Sequence, residues 1–151
     1  MIRPEYDDVE SSESILRIAV SLVIYSNDLS PKDISNALTL EPSYIAEKGV
    51  KVGPRTGTIM NVPRNLWELS SEENVHSLTA DSHLDWMLSK LTAVQAKLKS
   101  LRADPSIDCV FTCVIWTNND GVYTKLSVRQ MAELVSLGFD LRLQVSDYGD
   151  N

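Results

Sequence analysis

Hydrophobic and polar residues follow the periods of strands and helices along most of this chain. Residues 16–25 and 107–116 are apolar runs rich in β-branched and aromatic residues, which predicts two buried strands. Residues 66–69 and 139–145 alternate apolar and polar positions, which predicts two further strands. Residues 44–52 fit either a short strand or an extended segment.

The longest helical pattern begins near Asp81 or Ser82 and runs to about Leu101, and Asp104-Pro105 enforces its end. At 100° per residue, its apolar side chains fall in one sector, as expected of a helix that lies on a sheet. They are Leu84, Met87, Leu88, Leu91, Val94, Leu98 and Leu101. Trp86 lies about 120° outside that sector, which indicates a second contact face.

Two shorter helices carry clear terminal signals. Ser30 and Pro31 are favoured residues for the start of the first helix. Ser127 and Gln130 have the spacing of a capping box at the start of the second, and Gly138 is suited to end it. The expected apolar sides are Ile34, Ala37 and Leu38 in the first helix, and Val128, Met131, Ala132 and Val135 in the second.

The connections are marked by turn-forming residues. The glycines and prolines of residues 49–63 predict a long loop or a loose hairpin. Residues 70–80 are a polar connection, and the Asn-Asn-Asp-Gly sequence of residues 118–121 predicts a hairpin into a strand at 122–126.

Residues 23–27 and 114–118 resemble each other, and each precedes a Leu-Ser helix start and a new apolar strand. This similarity suggests a repeated β-α-β unit with the long helix between the copies. Right-handed crossovers would place the helices on one face of a mixed or antiparallel sheet. The expected class is α+β, either ferredoxin-like or a repeated β-α-β arrangement.

The composition indicates one globular domain of residues 15–151 behind an acidic, partly disordered tail of residues 1–14. The net charge of −7 argues against nucleic-acid binding, which needs clustered Lys and Arg. The first residues lack the basic and apolar pattern of a signal segment, and the strongest apolar run is too short to span a membrane, so neither secretion nor membrane insertion is expected. Cys109 and Cys113 would lie about 13 Å apart on one strand face, which favours buried, reduced thiols and a cytoplasmic location.

Several short motifs, in order, resemble a bacterial family catalogued as domain of unknown function 4279. They are Asp28-Leu29-Ser30-Pro31 with Ile34 and Leu38, then Pro42, Lys48-Gly49, Trp67, Leu126-Ser127 and Asp147-Tyr148. Thr39 departs from the pattern, because such sequences often carry glycine there. The resemblance supports a fold but names no reaction, because the family has no established catalytic or ligand residues that could be carried over. It also suggests an immunity-type role by analogy with small bacterial proteins that neutralise toxins.

Residues 48–64 are the most distinctive local feature, since they contain four basic residues and no acidic one. These are Lys48, Lys51, Arg55 and Arg64. A glycine-rich loop beside basic side chains could hold a phosphate or carboxylate, although the P-loop lysine and hydroxyl are missing. A solvated basic loop is the simpler interpretation.

The remaining candidates have structural explanations that are at least as good. Trp67 fits a core anchor, whereas Trp86 fits either packing under residues 70–80 or a protein interface. His76 and His83 fit surface or capping roles, because no metal motif or nucleophile adjoins them. Four scattered carboxylates, Asp108, Asp120, Asp140 and Asp147, are expected to be solvated.

Together these features favour a small cytoplasmic protein-interaction module, of which an immunity protein is the most specific form. A protein partner or a second copy of the chain is expected, and no metal or cofactor. The alternative is a small-molecule or anion-binding module that uses the loop of residues 48–64. An enzyme ranks third, because no catalytic centre is recognisable and only residues that meet in space could form one.

Overall fold

The computed structural model describes residues 15–118 and 121–147. The acidic tail and part of the Asn-Asn-Asp-Gly turn, with Asp120, lie outside these residues. The strands are β1 (Ile15–Ser26), β2 (Tyr44–Ala46), β3 (Gly49–Val52), β4 (Ile59–Val62), β5 (Asn65–Ser70), β6 (Asp108–Thr117) and β7 (Leu141–Asp147). The helices are α1 (Pro31–Leu38), α2 (Ala80–Thr92), α3 (Gln95–Arg102) and α4 (Val128–Leu137).

The main sheet has five strands in the order β2-β5-β1-β6-β7, and one layer of helices packs on one of its faces. Strands β2, β5, β1 and β6 are antiparallel neighbours, whereas β7 pairs with β6 in parallel. In chain order, β1, β2, β5 and β6 of the main sheet, with the helices that connect them, therefore have the split β-α-β connections of a ferredoxin-like fold. The predicted α+β class is confirmed.

Both predicted β-α-β units are present, as β1-α1-β2 and β6-α4-β7. In the second unit the two strands are direct neighbours, but in the first β5 lies between them. Strands β3 and β4 form a separate two-stranded sheet within the predicted loose hairpin.

The core lies between the helices and the inner face of the sheet. Alternate residues of β1, namely Ile18, Val20, Leu22 and Ile24, face the helices and are buried. Phe111 stacks on Phe139 at a centroid distance of 5.7 Å. Cys109 and Cys113 lie on the same face of β6, as predicted, and both are free thiols.

The single long helix predicted for residues 81–101 is wrong, since α2 and α3 are separated at Ala93 and Val94. Val94 has φ −118° and ψ 22°, outside the helical region, and is only half-buried. The two halves pack on different neighbours, α2 on β1 and α4, and α3 on α1. A straight helix of about 30 Å could not follow both directions.

The strand predicted for residues 122–126 is also wrong, because residues 121–127 have no regular secondary structure. The edge of β6 that such a strand would need is occupied by β7. A parallel neighbour requires a crossover connection, and residues 121–127 together with α4 form it.

The apolar side predicted for α4 points to solvent. Its four residues, Val128, Met131, Ala132 and Val135, are exposed, and the two valines are 80% and 79% accessible. The side chains that face the core are Gln130, Leu134 and Leu137. Gln130 can be buried because its Nε2 donates to Asp81 Oδ1 at 2.9 Å and to Asp85 Oδ1 at 3.0 Å on α2.

Candidate functional site

Residues 49–62 form a hairpin arm that stands apart from the main sheet. Its strands, β3 and β4, pair only with each other. At the tip, the Gly53 N–H donates to the Thr58 carbonyl at 2.8 Å, and the Gly57 N–H donates to the Gly53 carbonyl at 3.1 Å. Gly57 has φ +63°, a conformation that favours glycine. The tip is therefore closed by its own backbone.

The hairpin arm exposes an unusual number of large apolar side chains. Val52 lies opposite Ile59 and Val50 opposite Asn61, so three β-branched side chains share one face. Val50 and Ile59 are each 70% exposed, and Val52 and Met60 are also exposed. A two-stranded hairpin is only marginally stable alone. The other described residues leave these four side chains mostly exposed to solvent.

The four predicted basic residues do not form one cluster. Lys51 and Arg55 are exposed on the arm, and Lys48 is exposed at its base. Arg64 turns away to the sheet, where its Nη1 donates to Asp108 Oδ2 at 2.6 Å and its guanidinium lies 4.5 Å from the Tyr25 ring. The solvation expected for Asp108 is therefore incomplete, and Arg64 joins the arm's base to the sheet.

The geometry gives limited support to a phosphate cradle at the tip. The N–H groups of Gly53 and Gly57 are already bonded to carbonyls, and that of Thr58 points to Thr56 Oγ1 at 3.4 Å. An anion would have to compete with these internal bonds.

The two candidate tryptophans have different environments. Trp67 is fully buried on β5, and its indole N–H donates to Ser35 Oγ at 3.0 Å, which anchors α1 to the sheet. Trp86 is half-buried and lines a groove of about 550 Å³ with Pro42 and Asn74. Lys90 Nζ lies 5.7 Å from its ring centroid. Trp67 cannot contact a partner, whereas one edge of Trp86 can.

On the face of the main sheet opposite the helices, the described residues leave an open groove of about 420 Å³. Arg17 stacks on Trp116 at 4.2 Å and forms an ion pair with Glu72 along this groove. Ser21 and Thr112 form part of its floor. Glu68 and Glu73 also line the groove, so the Arg17–Glu72 pair balances only part of its charge.

His83 contradicts the expected surface or capping role, since it is 1% exposed. Its Nε2 lies 2.6 Å from the Ser77 carbonyl, which can only accept, so neutral His83 carries its proton there and Nδ1 accepts from Ser71 Oγ at 2.6 Å. Burial lowers the pKa of His83, against the raising effects of the Ser77 hydrogen bond and the Glu72 charge. His76, in contrast, is exposed.

The Ser71–His83 pair resembles a nucleophile and base but is closed to substrates. Ser71 is fully buried, and its Oγ also accepts from the Val20 N–H at 2.9 Å. The pair joins residues 71–77 to β1 and α2. Sequence reasoning missed it because the serine and histidine lie twelve residues apart in a segment without a motif.

The thiols offer no second nucleophile. Burial raises the pKa of Cys109 to about 11, so the reactive thiolate is scarce at neutral pH. Across residues 15–118 and 121–147, no group of three His, Cys, Asp or Glu side chains is placed to hold a metal ion. Within the same ranges, no helix has the length and apolar character needed to cross a membrane.

Comparisons with known proteins give one match. The family model described as a domain of unknown function, DUF4279, matches residues 16–148. No curated protein and no solved structure matches the chain. The match begins at the second residue of β1 and includes the other ten described elements in full, to the end of β7.

Proposed function

The chain belongs to the DUF4279 family, whose description assigns no activity, and we propose that it is a protein-interaction module that binds an acidic partner through its hairpin arm. The observation that carries this proposal is the group of exposed apolar side chains on the arm, Val50, Val52, Ile59 and Met60. They lie within residues 48–64, which contain four basic residues and no acidic one, in a chain of net charge −7.

The apolar face supplies the affinity of this interaction. Full burial of a valine or isoleucine contributes roughly 1.5–3 kcal/mol, so three β-branched side chains can offset much of the cost of association. The arm also presents free strand edges, to which an extended segment of a partner can add.

The basic residues supply selectivity for an acidic surface. Lys51 is exposed on the opposite face of β3, across from Met60, and Arg55 is exposed at the tip. Residues 48–64 contain no carboxylate to neutralise them. Complementary charges accelerate association and exclude partners of like charge. A protein with an apolar groove bordered by Asp and Glu fits the arm better than a small anion, since the N–H groups of Gly53, Gly57 and Thr58 at the tip are already hydrogen-bonded.

The test is affinity purification of the full chain from its native host, followed by titration of the recovered protein. We expect a stoichiometric protein partner whose affinity falls at least about tenfold in the Lys51→Glu/Arg55→Glu variant at low salt. The Val52→Ser/Ile59→Ser variant should weaken binding in high salt as well, because apolar contact is not screened.

Matched changes elsewhere on the surface provide the controls. Lys32→Glu/Lys125→Glu has the same charge change, and Leu16→Ser/Ile45→Ser removes a similar amount of apolar surface, both at exposed positions outside the arm. These variants should bind like the wild type. Equal losses in control and arm variants would reject the arm as the binding element, and a co-purified metabolite without protein would favour the anion-binding alternative.

An immunity-type role is the form of this proposal in which the partner is a toxin. It gains support from the small size of the domain and from its protruding, non-enzymatic binding element. If a toxin is encoded by a neighbouring gene, the purified pair should form a complex that the arm variants abolish. We also propose a cytoplasmic location, because the free thiols of half-buried Cys109 and buried Cys113 suit a reducing compartment.

A further inference from the structure

Helix α4 has a second apolar side that the domain does not use. Val128, Met131 and Val135 recur at helical spacing and are exposed, while the opposite side is buried in the core. One apolar side of this short helix packs in the core, and the other is left free to contact another molecule.

Strand β7 provides a second unused apolar surface beside it. It is the outermost strand and pairs only with β6. Leu143 and Val145 are in register with the core residues Cys113 and Ile115, so they point to the helix side of the sheet. They are nevertheless 55% and 54% exposed, because no residue of 15–118 or 121–147 covers them at this edge.

The contacts of α4 place these two surfaces together. Arg129 Nη2 donates to Asp85 Oδ1 at 2.6 Å, which turns one flank of α4 toward α2. Met131 lies on the flank away from α2, on the side of the β7 edge. Because α4 is the crossover from β6 to the edge strand β7, its apolar side and the two β7 residues lie at the same edge of the domain. We call Val128, Met131, Val135, Leu143 and Val145 the α4–β7 surface.

We propose that a second copy of this chain covers the α4–β7 surface, with the two β7 strands paired antiparallel about a two-fold axis. The outer edges of the two β7 strands would then join the two sheets into one of ten strands. The two α4 helices would meet above the strands through their exposed sides. This contact is separate from the hairpin arm and does not depend on the proposed function.

The edge itself favours a second copy over an unrelated protein. Proteins protect sheet edges with short strands, prolines, bulges or inward charges. The opposite edge, β2, has only three residues, whereas β7 has seven with neither proline nor bulge. With the axis at Leu143, Leu141 faces Val145 of the other copy and Arg142 faces Gln144, so like charges do not oppose each other.

The size and charge of the contact set its expected strength. Strand β7 is about 23 Å long, which gives an interface at the small end of the specific range and a dissociation constant of roughly micromolar order. Each copy carries a net charge of −7, so added salt should strengthen the dimer by screening repulsion. Salt should have the opposite effect on binding through the basic arm.

Analytical ultracentrifugation of the full chain from about 1 to about 100 µM tests the proposal. We expect a monomer–dimer equilibrium that Leu143→Lys and Val135→Lys each weaken at least tenfold. Both side chains are exposed in the monomer, so melting temperatures should change little. Val50→Lys, which places the same charge on the arm, should leave the dimer intact. A wild-type monomer at 100 µM, or Lys variants that dimerise normally, would overturn the proposal.

Discussion

At the scale of single residues, two buried polar side chains organise contacts between distant parts of the chain. His83 joins residues 71–77 to α2 through Ser71 and Ser77. Gln130 joins α4 to α2 and completes the capping box with Ser127. Each side chain can be buried because its hydrogen bonds to specific partners compensate for the loss of its hydration.

The lowered pKa of His83 predicts a pH-dependent stability. Burial favours the neutral imidazole, so the unfolded chain binds more protons than the folded one when the pH falls below the ordinary value of 6.5. Stability should be full above pH 6.5 and decline toward pH 5. Thermal melts of the full chain across this range measure the effect.

His83→Gln should remove this pH dependence while lowering stability at pH 7 by about 1–3 kcal/mol, the cost of disrupted buried hydrogen bonds. The pKa values of Asp85 and Asp104 lie below their ordinary value of 3.8, so these carboxylates do not titrate between pH 5 and 7. A variant with the same pH profile as the wild type would show that another group is responsible.

At the scale of elements, two helices end in left-handed residues of different chemistry. Helix α4 ends at Gly138 with φ 74°, and the side chain of Arg102 donates to the Leu137 and Gly138 carbonyls at 2.7 and 3.0 Å. Helix α1 ends at Thr39 with φ 55°, a conformation in which a β-branched residue is strained. The departure from glycine at Thr39 therefore has a local cost.

Thr39→Gly should stabilise the domain by about 1 kcal/mol, because relief of the left-handed strain exceeds the added flexibility of the unfolded chain. Gly138→Thr is the matched control and should destabilise it by at least as much, since a Cβ there would also meet Arg102 Nη1 at 3.2 Å. Urea denaturation measures both. A less stable Thr39→Gly variant would mean that the hydrogen bond from Lys97 Nζ to Thr39 Oγ1, 2.8 Å long, outweighs the strain.

At the scale of the whole molecule, the domain consists of a continuous core and an arm that contributes nothing to it. The core joins all four helices to the inner face of the five-stranded sheet. The base of the arm is closed by the Lys48 N–H, which donates to Asn65 Oδ1 at 2.7 Å. Asn65 Nδ2 in turn donates to the Leu29 carbonyl at 2.9 Å.

Replacement of residues 49–62 by an Asn-Gly turn should therefore change the free energy of unfolding by less than about 1 kcal/mol. Trp67→Ala, in the core beside the arm's base, should cost about 3–5 kcal/mol and serves as the positive control. Chemical denaturation compares the two. A large loss on removal of the arm would show that it supports the sheet and would weaken its assignment as a binding element.

The sequence by itself determined the features that depend on near neighbours. The periods of β1 and β6, the caps at Ser30 and Ser127 and the stop at Gly138 are set by local backbone chemistry. The basic character of residues 48–64 and the placement of both cysteines on one strand face also follow from sequence alone. These signals were sufficient for the α+β class and for both β-α-β units.

Only the tertiary structure decided which surfaces are covered. The break at Val94 and the burial of Gln130 arise from packing partners that are distant in sequence, and no local pattern specifies them. For the same reason, the periodicity of α4 predicts that its more apolar side faces the core, whereas the buried side carries Gln130, Leu134 and Leu137. Val50 and Val135 are exposed because no other described element packs against them. The periodicity within one element does not specify which other elements will contact it.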